Sequence, residues 1–162
     1  VQSADRPRPP LLAKLGAAAV ALLVAAPVAA TVWSRSSETT RLPKGGRAEL
    51  TDITYHARDW NASITALEVK AAPAPPGSRG EAASVWTFHY TNSDHEPHYV
   101  LVNVRCLDGQ RQERAGFKAT LTLLADKASG ARADVTFRAR EADWQASTTV
   151  KVVADFLSGP EG

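Results

Sequence analysis

From residue 48 onward, apolar and polar residues alternate in short runs, and that alternation predicts strands. The clearest run is 84–91, where Trp86, Phe88 and Tyr90 fall on one face and Thr87, His89 and Thr91 on the other. The run 98–107 repeats the pattern with Val100, Val102, Val104 and Cys106. Strands are also predicted near 48–57 (Leu50, Ile53, Tyr55), 64–69, 117–124, 132–140 and 147–157. In the last of these, Val150, Val152, Ala154 and Phe156 alternate with Lys151, Val153 and Asp155. Between them, AAPAPPGSRG (71–80) can be neither helix nor central strand. Asn92-Ser93-Asp94 opens one turn, and Asp108-Gly109 signals a tight one. About seven short strands at spacings of roughly 10–15 residues predict an all-β domain, a β-sandwich or small barrel, over 48–158. Helical periodicity is weak after residue 34.

The first third of the chain is patterned differently. Leu15 to Trp33 reads LGAAAVALLVAAPVAATVW, with no charge. As a helix this run rises roughly 28 Å, close to the hydrocarbon thickness of a bilayer. Arg6, Arg8 and Lys14 precede it in a short tail, 1–14, and Trp33 suits the interface. A cleavable signal peptide ending at Val28-Ala29-Ala30 is one reading; a retained transmembrane α-helix over 15–33 is the one expected. The absence of Met and the start at Val1 fit initiator removal or N-terminal processing. Ala17, Ala21, Ala25 and Ala29 lie four apart, a stripe along which another transmembrane helix could pack closely. Pro27 loosens the helix one turn before its end. The polar stretch 34–47, SRSSETTRLPKGGR, reads as a flexible linker.

Composition adds two constraints. Net charge is +2, with 19 basic and 17 acidic residues of mixed order, so no nucleic-acid footprint is expected. Cys106 is the sequence's one cysteine, which rules out an intrachain disulfide within this chain, a Cys-based zinc site and a Cys-x-x-Cys redox pair. Abundant Ala, Arg, Val and Asp with few Lys, Ile and Asn suggest a GC-rich bacterial gene.

The run WTFHYTN, a polar turn, VLVNVRCLDGQ, then LLADKASGARADVTFRA and TTVKVVADFL resembles the FxLYD-type and related immunoglobulin-like modules of bacterial envelope proteins. In that pattern a strand ending in Asn leads through a polar turn to a strand ending in Asp and Gly. The likeness covers 84–157, and its first strand departs from the family's usual Gly-x-Val-x-Asn. It implies an immunoglobulin-like sandwich and an envelope location, and it carries no catalytic residues.

Candidate chemistry is sparse. His89, His95 and His98 could ligate a metal, with Asp94 or Glu96 adding an oxygen, although exposed turn histidines account for them as well. Cys106 reads as a buried thiol. Trp60 and Trp144 stand in loop-like stretches, either folded back on the sandwich or, with Trp33, presented to a partner. No nucleophile elbow, P-loop, dinucleotide fingerprint, His-Glu-x-x-His or haem-attachment motif occurs. The expectation is a non-enzymatic accessory subunit without cofactor, in the bacterial inner membrane. Its helix packs on other transmembrane subunits in the lipid bilayer, as in a respiratory or photosynthetic reaction-centre complex, with the C-terminal domain in the periplasm. The alternatives are a free-standing envelope binding module for a glycan or peptide, and a histidine-based metal-binding domain.

Overall fold

The computed structural model describes residues 32–56 and 60–157. The predicted helix 15–33 lies outside the described residues up to position 31, with its alanine stripe (Ala17, Ala21, Ala25, Ala29) and Pro27, while its last two residues, Val32 and Trp33, open a strand instead. Among the described residues no helix is long and apolar enough to cross a membrane. The chain forms nine strands and one short helix there. These are β1 (Val32–Arg41), β2 (Gly46–Glu49), β3 (Thr54–His56), β4 (Asn61–Ala72) and β5 (Glu81–Asn92). Then follow β6 (His98–Leu107), β7 (Glu113–Leu123), β8 (Lys127–Arg140), α1 (Glu141–Ala146) and β9 (Thr149–Leu157).

The strands form two antiparallel sheets. One has the order β1-β9-β6-β7; the other runs β2-β4-β5-β8, with β3 also paired to β4. The inward faces meet in a single apolar core. Trp86, Phe88 and Tyr90 of one sheet pack opposite Val100, Val102, Val104, Cys106, Val150, Val152 and Phe156 of the other, nearly all at zero exposure. This is the face-to-face burial that period-2 patterning requires, and it gives the domain its two-layered, sandwich-like all-β form.

Strand β4 shows how that burial overrides strict alternation. Ile64 and Leu67 are an odd number of residues apart, yet both are fully buried. A register shift between Ile64 and Ala66 in the β4–β5 ladder reverses the phase, so that Leu67 and Val69 also face inward. Gly116 marks a close approach: a Cβ there would lie 2.6 Å from the carbonyl oxygen of Val104 on the neighbouring strand.

Two expectations about order are corrected. Residues 34–41, predicted as part of a flexible linker, lie in β1 and pair residue by residue with β9, from Arg35↔Asp155 to Arg41↔Thr149. The pattern hid this because the half-buried positions Ser34, Ser36, Glu38 and Thr40 are polar. What holds β1 is the ladder, the two-pronged Arg35–Asp155 ion pair (2.6 and 3.0 Å) and the Glu38 carboxylate, which accepts from the amides of Thr51 and Asp52. The second correction is α1, one short helix in a region read as loop. Its first turn carries Glu141 and Asp143, which complement the helix dipole. The amide of Glu141 is taken by the carbonyl of Gly80.

Candidate functional site

The sandwich has two ends. Val32, Leu157 and Tyr99 lie in register at one, together with the β5–β6 turn. Arg41, Thr149 and Leu107 lie in register at the other, with the β6–β7 turn and α1.

At the first end, Asn92 closes β5 at zero exposure. Its amide nitrogen donates to the carbonyls of Glu96, Leu123 and Leu124, and its oxygen accepts from Trp60 Nε1 (2.8 Å) and the Asp94 amide. Trp60 is 3% exposed and stacks on the His98 ring, with centroids 3.7 Å apart and planes 16° from parallel. His98 Nε2 pairs with Asp94 Oδ2 at 2.6 Å. That bond is the main reason the Asp94 carboxyl sits below the usual carboxylate range. The Tyr90 hydroxyl accepts the Leu124 amide. These contacts tie β4, β5, β6 and β7 together. His98 Nδ1 alone among the described buried side-chain atoms lacks a partner.

The three histidines do not meet at a common point. His89 on the outer sheet face pairs with Glu68, His95 with Asp126, and His98 with Asp94. No group of three or more His, Cys, Asp or Glu side chains is placed to hold a metal ion among the described residues. His98 instead serves Trp60 as a stacking partner, a role that spacing in sequence cannot show. Trp60 is folded back into the core, so it offers no surface for a partner. Trp33 has its backbone in β1, and its side chain is outside the described part of the structure.

At the second end, Asp108 organises the turn. Its Oδ1 accepts the amides of Gln110 and Gln112, and its Oδ2 accepts from Arg114 Nε at 2.7 Å. The Gln112 amide, then Arg114, hold its carboxyl below the ordinary range. Arg111 takes the positive φ of this turn, 61°, rather than Gly109. Trp144 on α1 is half-buried and packs edge-on against Trp86, with centroids 6.3 Å apart. Lys44 Nζ lies 5.2 Å from the Trp144 ring centroid and donates to the Trp144 carbonyl at 2.6 Å. Trp144 is thus also turned inward, with one face under a lysine.

Cys106 is fully buried, and burial pushes its thiol up to about 12. Such a thiol stays protonated and inert at neutral pH. The described histidines, tryptophans and cysteine are therefore held by other groups of the fold. Asn92 and Asp108, read from the sequence only as turn residues, turn out to organise the two ends. Their one signal was position: Asn92 closes β5 and Asp108 follows β6, each just before a turn.

The chain defines an all-β, two-sheet, sandwich-like class of domain. Compared with known families and curated proteins, it matches no family model and none of the curated sequences.

Proposed function

We propose that this chain is a non-enzymatic accessory subunit held at the bacterial cytoplasmic membrane by its apolar run 15–33, with the sandwich on the periplasmic side. The observation that carries the reading is the start of β1. The strand begins at Val32, inside the last residues of the apolar run, and pairs along β9 to Arg41. An apolar run of bilayer length that leads straight into a folded domain is the pattern of a membrane-anchored chain, and the Ala17, Ala21, Ala25 and Ala29 spacing in that run suits close packing on neighbouring membrane helices.

The immunoglobulin-like reading is part of the same proposal. Strands β4, β5 and β8 follow the A-B-E order of such sandwiches, and β9, β6 and β7 follow F-C-C′. The N-terminal β1 then stands where the last strand, G, is expected. Asn92 and Asp108, the residues on which the FxLYD-type likeness turns, are the two turn organisers, which supports that likeness.

Purification of the full chain from its native membrane in mild detergent tests the proposal. Stoichiometric co-purification with other membrane subunits is expected. A monodisperse monomer, or a chain recovered without membrane extraction, would sink it.

A further inference from the structure

The end of the sandwich farthest from Val32 holds a cavity of about 530 Å³, between the β1–β2 turn and the α1–β9 connection. Its lining includes three cations, Arg41, Lys44 and Arg47, and no carboxylate. Thr40, Thr148 and Gln145 add polar groups around the wall. The size is that of a pocket for a small ligand.

The turn that builds it is firmly set. The Leu42 amide donates to the Thr148 carbonyl, Lys44 N to Leu42 O, and Gly46 N to Pro43 O. Gly45 supplies the positive φ of 68° that the turn needs. Lys44 Nζ donates to the carbonyls of Trp144 (2.6 Å) and Gln145 (3.4 Å), which fixes the ammonium at the cavity wall and leaves one N–H unused. Arg47 donates Nε to Glu49, an exposed pair of small value, and keeps its two terminal nitrogens free of protein partners among the described residues. Arg41 makes no ion pair among the described residues. Elsewhere on the domain Arg35, Arg114 and Arg140 are matched by a carboxylate within 2.7 Å, whereas Arg79, Arg111, Arg132 and Arg138 make no ion pair among the described residues but do not share a cavity with other cations as Arg41 and Arg47 do.

Three exposed like charges around one concave site repel each other, less so at Arg47, which Glu49 pairs, and an anion relieves that repulsion. Guanidinium groups with free terminal nitrogens suit an oxyanion with several acceptor oxygens, and the hydroxyl and amide groups of the wall suit a hydroxylated body attached to it. We infer that this cleft binds a phosphorylated polyol. The proposal does not depend on the chain being membrane-anchored. The same chemistry is offered by a free polyol phosphate and by the headgroup of phosphatidylglycerol.

Calorimetric titration of the full chain with glycerol 3-phosphate tests the inference, with inorganic phosphate as competitor. Saturable binding is expected. The double variant Arg41→Gln/Arg47→Gln should weaken it at least tenfold. The control Lys118→Gln/Arg132→Gln removes the same charge from exposed strand positions and should change it less than twofold. A short-chain phosphatidylglycerol below its micellar concentration separates the two sources. Tighter binding than glycerol phosphate, still dependent on Arg41 and Arg47, assigns the lipid headgroup; equal or weaker binding assigns the free phosphate. Absence of saturable binding by both probes overturns the inference, and so does an equal loss in the two double variants. Retention of the wild-type melting temperature by Arg41→Gln/Arg47→Gln establishes that a loss of binding is not a loss of fold.

Discussion

The two ends of the sandwich are built from opposite kinds of residue. Around Asn92, the polar atoms are spent on other protein groups, His98 Nδ1 excepted. Trp60 is bonded and stacked, Asn92 makes five hydrogen bonds, and Asp94 and His98 satisfy each other. Around the β1–β2 turn, the cations Arg41, Lys44 and Arg47 surround open space with donors left over. The first end holds the sequence's conspicuous side chains, histidines and a tryptophan, and it acts as a fastening. The second is made of the LPKGGR stretch, which the sequence presents as part of a linker, and it has the features of a site. Rarity of a residue type marks structural investment as readily as it marks chemistry. What separates the two is whether the polar atoms are turned into the fold or away from it.

That contrast can be broken most severely at the fastened end. Trp60→Ala removes a buried indole, its stack on His98 and its bond to Asn92, and is expected to cost about 3–5 kcal/mol. Chemical denaturation of the full chain measures it, and a loss under about 1 kcal/mol would mean that Trp60 is peripheral. Next in size, Asn92→Ala removes five hydrogen bonds, to Trp60 Nε1, the Asp94 amide and the carbonyls of Glu96, Leu123 and Leu124. Each buried group abandoned in this way costs about 1–3 kcal/mol, with partial rescue by water, so a loss of about 2–4 kcal/mol is expected. Neither variant should alter glycerol 3-phosphate affinity at the opposite end under conditions where both remain folded. Linked losses would show that the two ends are not independent.

The smallest effects concern pH. Asp94 and Asp108, one at each end, are held below the ordinary carboxylate range in the folded chain. Each therefore contributes stability that is full above its unfolded value, about pH 4, and is lost as pH falls through the folded value. Asp108→Asn keeps an oxygen to accept the Gln110 and Gln112 amides but cannot titrate. Acid unfolding curves should become flatter below about pH 4 in Asp108→Asn, and likewise in Asp94→Asn. An unchanged acid limb in both would assign the acid sensitivity to other carboxylates.

The strands were legible wherever one face is apolar and the other polar. Trp86, Phe88 and Tyr90 announced β5, and Val100 to Cys106 announced β6 with the observed bounds of 98–107. β1 was not legible, since no apolar period runs through SRSSETTR. It is a strand because β9 offers an unpaired edge and because Asp155 and the Thr51–Asp52 amides receive Arg35 and Glu38. The predicted single strand at 48–57 is instead β2 and β3, with Leu50 and Ile53 buried at the bend between them. Trp60 and Trp144 could not be assigned from their neighbours, because a loop tryptophan is placed by what lies across the fold.

The sequence by itself determined which residues face the core, where most strands begin and turn, and that the lone thiol would be buried. These are local properties, written in a period of two and in the backbone limits of Gly, Pro and Asn. Only the tertiary structure decided that β1 joins the sheet and that the three histidines go to three separate carboxylates. It also decided that Arg41, Lys44 and Arg47 line one cavity with Gln145 and Thr148. Those groupings depend on which strands become neighbours, and pairing between residues 100 or more positions apart is set by the closing of two sheets on one core.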